Sequence, residues 1–268
     1  MKIIEKKVNV ETKMVQLTTT DERWYKIGNQ FVPSVTWIAG FYPKGVQFYK
    51  WLADKGWDEA EAIKQAAGDK GSKVHKACED ILLGHEVKMN DKYLNPSTEQ
   101  QEELTVQEYE CLMSFVEWLK VTNPEVIKTE YTVWNQEHNY AGTIDMKLKI
   151  NGEPWLVDLK TSLSIWPEYE LQLSAYRHAE DEVCKTAILQ IGYNRNKNQK
   201  YKFTEIENRF DLFLSAKKIW EHETEGIAPL QRDYPLSLEW KSAKQETKIE
   251  TEAVEDKKVV NKKTRKYA

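Results

Sequence analysis

The chain has 268 residues, 40% hydrophobic and 31% charged, which is enough for a sizeable core and ordinary for a soluble protein. A formal net charge of −4 excludes a protein that coats nucleic acid by bulk charge, while leaving room for an enzyme with a carboxylate site and a local basic lip. Cys78, Cys111 and Cys184 have no paired spacing, which excludes a disulfide framework or zinc ribbon. No apolar run reads as a signal peptide or bilayer span, so a cytoplasmic protein with no membrane partner is the expectation.

In chain order, Arg23 to Ile27 alternates as a strand, Gly28-Asn29 signals a turn, and Phe31 to Thr36 continues as strand. From Val46 to about Leu83 the pattern is helical, punctuated into segments by Gly56 and by Gly68 to Gly71. Residues 84–97 read as a loop. A long helix follows from about Thr98 to Val121, its apolar stripe running through Leu104, Leu112, Phe115 and Leu119, and Thr122-Asn123-Pro124 ends it. Three strands come next, Val126 to Trp134, Gly142 to Ile150 and Glu153 to Thr161. Then come a helix from Glu168 to Asp181, strands from Thr186 to Tyr193 and Lys200 to Ile206, and a closing helix from Phe210 to Glu223. The order indicates an α+β or mixed α/β core. Beyond about Lys241 the chain is rich in Lys and Glu and poor in large apolar groups, which reads as a disordered tail.

Asn151-Gly152 between two alternating runs is a strong hairpin signal. A two-residue turn pairs Ile150 with Glu153 and, counting outward, Met146 with Val157 and Asp145 with Asp158. Lys160 then faces Thr143 on the same side of the sheet. The opposite face, Ile144, Met146, Leu148, Ile150, Trp155, Val157 and Leu159, is almost wholly apolar and is expected to be the buried one. Like charges directly opposite one another are destabilising unless compensated. A divalent cation is the natural compensation, and oxygen ligands at this separation suit Mg²⁺ or Mn²⁺.

The segments Gly142-Thr143-Ile144-Asp145, Val157-Asp158-Leu159-Lys160-Thr161-Ser162 and Gln172-Leu173-Ser174-Ala175-Tyr176 together resemble the PD-(D/E)XK nuclease superfamily. The branch is that of RecB-like nucleases, phage exonucleases and the mitochondrial genome maintenance exonuclease. The similarity is firm from about Glu130 to Tyr176 and looser upstream to about Val32. The resemblance implies an α/β restriction-endonuclease-like core, a central mixed sheet with an antiparallel hairpin flanked by helices. It divides the chain into an N-terminal strand and helical region (1–125), the nuclease core (126–240) and the tail (241–268). It also implies a metal held by Asp145, Asp158 and the carbonyl of Leu159, with Lys160 catalytic. His75, in the helical stretch Gly71-Ser72-Lys73-Val74-His75, becomes a further ligand. Gln172 and Tyr176, four apart on one helix face, support the site or touch DNA, and Glu130 stands as an outer group.

The implied activity is a Mg²⁺- or Mn²⁺-dependent DNA exonuclease of phage or bacterial replication, recombination or repair. It would act in the cytoplasm of a bacterium or phage-infected host, with single-stranded ends favoured. Replication or recombination proteins are the expected partners. With no cysteine after Cys184, the iron–sulfur cluster of some relatives is not expected. The rivals are a structure-specific or restriction-type endonuclease and a non-catalytic DNA-binding recombination partner. The remaining histidines, His85, His138, His178 and His222, lack zinc spacing, and a basic turn at Arg195, Lys197, Lys200 and Lys202 could grip a phosphate backbone.

Overall fold

Five strands form the sheet on which the rest of the chain is arranged, as seen in a computed structural model that describes residues 4–9, 14–18, 22–194, 200–225 and 227. All of these lie within one compact unit, Met1–Ala228. The tail expected over 241–268, and Arg195 and Lys197 of the basic turn, lie outside the described residues.

The chain opens with a four-stranded antiparallel sheet, β1 (Ile4–Asn9), β2 (Met14–Thr18), β3 (Arg23–Ile27) and β4 (Gln30–Pro33), in that order. The helices α1 (Val35–Ala39), α2 (Val46–Lys55) and α3 (Trp57–Leu82) follow, then a short hairpin of β5 (Lys92–Asn95) and β6 (Gln100–Glu103), and helix α4 (Val106–Thr122). The main sheet is built from β7 (Glu125–Asn135), β8 (Tyr140–Ile150), β9 (Glu153–Lys160), β10 (Lys185–Ile191) and β11 (Tyr201–Glu205). Helix α5 (Pro167–Ala179) connects β9 to β10, and α6 (Phe210–Glu223) follows β11. The strand order is β11-β10-β9-β8-β7, with β9 and β10 parallel and the other neighbours antiparallel. The fold is mixed α/β, with helices against the sheet.

Two apolar layers sandwich this sheet. One joins Ile144, Leu156 and Ile188 to α1, α5 and α6 through Ile38, Leu173 and Phe213. The other joins Met146, Leu148, Val157 and Leu189 to α3 and α4 through Val74, Phe115 and Trp118. Because β9 and β10 are covered on both faces, Trp155 to Leu159 and Ala187 to Ile191 are near-continuous apolar runs rather than alternating ones. The expected division into one apolar and one polar face is corrected accordingly. Along β8 the alternation also breaks across Asp145. Tyr140 and Ile144 pack in the first layer, and Met146, Leu148 and Ile150 in the second.

The hairpin at Asn151-Gly152 forms as the sequence indicates. Both residues take positive φ, 52° and 85°, as a tight turn between twisted strands requires. The register runs Ile150 with Glu153 through to Met146 with Val157. There the ladder ends, and Asp145 and Asp158 are not paired partners. The Oδ2 of Asp145 instead accepts the backbone N–H of Leu159 at 2.8 Å. From Trp155 to Lys160, β9 pairs in parallel with β10.

Four other boundaries differ. Val35 and Thr36 begin a helix, capped by Ser34 Oγ on Trp37 N at 3.1 Å, rather than prolonging a strand. Helix α3 runs unbroken through Gly68 and Gly71, where the missing side chains leave open space. The loop expected at 84–97 contains β5. The long helix starts at Val106, not Thr98, because Thr105 and Glu108 form a reciprocal capping box there and Gln100–Glu103 pairs with Lys92–Asn95.

Candidate metal centre and its cleft

The fork between β8 and β9 opens into a cleft of about 520 Å³. Its walls are Asp145, Gly142 and Thr143 of β8, Lys160 of β9, Gln172 and Tyr176 of α5, and Gly68, Gly71 and His75 of α3. The two glycines of α3 thus present backbone to the cleft.

Three groups converge at the fork. One ligand atom each from His75, Glu130 and Asp145 all lie within 4.8 Å of one another, a spacing that could hold a metal ion. His75 Nδ1 is 3.5 Å from Asp145 Oδ2. Glu130 gets there by a local distortion of β7. Its φ is 44°, in the left-handed region, and it falls between the pairs Thr129–Met146 and Tyr131–Ile144. A non-glycine residue held so costs about 1–3 kcal/mol, and such strain gathers at functional sites. The sequence placed Glu130 in an outer position; the structure puts it beside His75 and Asp145.

Asp158 is set apart from that trio and buried to 2% exposure. Lys160 Nζ lies 2.5 Å from its Oδ2, and its Oδ1 has no hydrogen-bond donor among the described residues. Burial, and then the charge of Asp145, push the Asp158 carboxyl up to about 6, against the opposing pull of Lys160. Asp145 itself is held below the usual carboxylate range: burial raises it, but His75, Lys160 and the Leu159 N–H outweigh that. His75 moves upward, because Asp145 overcomes the effect of burial. Lys160 also moves upward, the two aspartates outweighing its burial. One imidazole and two carboxylates within ligand spacing, with a further buried carboxylate coupled to Asp145, are the donor chemistry a hard or borderline divalent cation takes. The residues present fit such an ion.

Gln172 Nε2 donates to Tyr176 Oη at 3.0 Å, and the Tyr176 ring lies against Gly142. Both residues therefore brace the strand that carries Asp145. Leu159 enters through its N–H to Asp145. The other histidines are elsewhere: His178 stacks on Phe210 with centroids 3.8 Å apart, and His138 meets the same ring edge-on. Of the basic turn, Lys200 pairs with Glu110 at 3.3 Å and Lys202 lies 5.8 Å from the Tyr193 ring.

Several cleft residues were not singled out from the sequence. Gln16, Arg23, Tyr25, Ser34 and Thr36 reach the wall from the N-terminal sheet and α1. Gln16 donates to Tyr25 Oη, which shares a hydrogen bond with Thr143 Oγ1, both at 3.0 Å. Ser34 before Val35-Thr36 is an N-cap signal that could have marked the helix start, but nothing in the sequence says which wall it meets.

No known family profile matches the sequence, and no curated protein matches it. Several solved structures are similar over part of the chain, two of which follow. One is an alkaline exonuclease (LHK-Exo) from Laribacter hongkongensis, 12% identical, covering 72% of this chain and 87% of that one with a TM-score of 0.36. The other is SSO0001, 14% identical, covering 59% of this chain and 87% of that one with a TM-score of 0.29. At these values neither likeness bears on what the cleft does. Among the described residues no helix is long and apolar enough to cross a membrane.

Proposed function

We propose that the chain is a divalent-metal-dependent nuclease, and more narrowly a DNA exonuclease of phage or bacterial replication, recombination or repair, acting in the cytoplasm. The observation that carries this reading is the convergence of His75, Glu130 and Asp145 within 4.8 Å, beside a buried Asp158 and Lys160, at the edge of an open cleft. His75, Asp145, Asp158 and Glu130 would hold Mg²⁺ or Mn²⁺. The chemistry such an ion supplies is Lewis-acid polarisation of a phosphoryl oxygen and a lower pKa for the attacking water.

In the ion-free protein Asp158 and Asp145 favour the protonated form of Lys160, which suits it to act as a cationic donor towards a phosphate or a water. Asp145 does two jobs through the same oxygen. Oδ2 fixes the fork by accepting from Leu159, and its charge holds the His75 ring. Gln172 and Tyr176 keep the Gly142–Asp145 strand in place. Exposed Tyr49 and Trp57, on α2 and α3, support a preference for single strands, whose bases stack on aromatic rings.

Digestion of end-labelled single- and double-stranded DNA with Mg²⁺, Mn²⁺ or chelator tests the reading. Digestion is expected with either ion and not with chelator. Lys160→Ala and Asp158→Ala should each lower the rate by about 100-fold or more. Parental rates in both variants would rule out catalysis at this cleft, and cutting of a circular single strand would replace exonuclease with endonuclease.

A further inference from the structure

The Lys160 ammonium has a second neighbour that the metal-binding set does not explain. Its Nζ lies 4.6 Å from the ring centroid of Tyr169, in the first turns of α5. Both residues line the cleft, and the Tyr169 ring also packs against the apolar layer of α1, α5 and α6. The start of α5, which carries the ring, is held at two points. Buried Gln190, the β10 register partner of Lys160, donates through Nε2 to the carbonyl of Ser162 at 2.8 Å, fastening the turn into α5. Glu168, next to Tyr169, is ion-paired with Lys44.

A lysine side chain has many rotamers to lose, so aiming its ammonium requires partners. Asp158 is one, but it is also a carboxylate that a bound cation would draw upon. A cation that shares the Asp158 charge weakens its hold on Lys160. An aromatic face attracts an ammonium through its quadrupole, without offering an oxygen for which the cation competes.

We propose that Tyr169 is a positioning residue for Lys160, its ring face rather than its hydroxyl keeping Nζ directed into the cleft when a cation engages Asp158. The geometric part stands on the structure alone; the kinetic consequence rests on the nuclease reading.

The test compares Tyr169→Phe with Tyr169→Leu, in the parent and in a Lys160→Ala background, under single-turnover and steady-state conditions in Mg²⁺. The phenylalanine variant should keep at least about half of kcat, whereas the leucine variant should lose about tenfold in kcat with KM little changed. In the Lys160→Ala background the leucine change should cost nothing further. Upfield ring-current shifts of the Lys160 Cε protons, read by NMR, should persist in Tyr169→Phe and vanish in Tyr169→Leu. Equal losses in the two variants, or a further loss in the Lys160→Ala background, would overturn the proposal. So would an unchanged kcat in Tyr169→Leu once the ring-current shift has gone. If the parent digests no nucleic acid, the nuclease reading fails, and the NMR comparison still decides whether the ring holds the ammonium.

Discussion

Gly142 has an ordinary strand conformation, and the demand for glycine there comes from a neighbour. A Cβ at this position would lie far inside van der Waals contact with Tyr176 Cε1, and Tyr176 is buried and tied to Gln172. Gly142→Ala should therefore move either the ring or the strand that carries Asp145. The expected cost is about 1–3 kcal/mol, seen as a lower Tm in calorimetry, with a fall in nuclease rate alongside. Shrinking the ring in a Gly142→Ala/Tyr176→Leu double variant should recover part of the Tm. The sequence displayed Gly142, Gln172 and Tyr176 as motif pieces, but not that one packs on another. Glu130 was harder to read, because its importance comes from a left-handed backbone in mid-strand, which nothing in Thr129-Glu130-Tyr131 announces.

At the scale of elements, the start of α4 illustrates how two equally good local signals are resolved by packing. Thr98 is followed three residues later by Gln101, and Thr105 by Glu108, so both fit a capping box. The protein uses the second: Thr105 Oγ1 accepts from Glu108 N at 3.3 Å and the Glu108 side chain accepts from Thr105 N at 2.7 Å. Buried Glu108 also pairs with Lys73 of α3 at 3.0 Å, linking the cap to the helix that carries His75. Thr105→Ala should cost about 1 kcal/mol, measured by urea unfolding, while Thr98→Ala should leave α4 unaffected. Most of the main sheet was legible in the sequence, since the Asn151-Gly152 turn sets the β8–β9 register residue by residue. The exchange of partners at Asp145 was not, because a side chain taking a backbone N–H leaves no mark on alternation. The N-terminal wall of the cleft was likewise hidden, since Tyr25 meets Thr143 only through the tertiary fold.

For the molecule as a whole, the charged groups at the fork make stability depend on pH and on a divalent cation together. Asp158 is raised from 3.8 to about 6 and His75 is raised above 6.5, so both hold a proton more readily folded than unfolded. The stability they contribute is complete below their unfolded values and is lost as pH rises through the folded ones. Asp145 is depressed, so its contribution is lost only as pH falls below its ordinary 3.8. Between pH 5 and pH 8 the ion-free protein should therefore lose stability. Mg²⁺ or Mn²⁺, which competes with those protons, should raise Tm more at pH 8 than at pH 5. Equal gains at both pH values would mean that the ion binds away from these groups. The partner exchange of β9 also bears on how the chain is made. β9 is joined to β8 by a local hairpin, but its other edge is filled only when β10 lies parallel beside it, across the α5 connection. Such non-local parallel pairing forms late. In an emerging chain the strands that carry Glu130, Asp145 and Asp158 can therefore pair first, and Asp158 gains its β10 neighbour, Ile188, only when the far edge of β9 is closed.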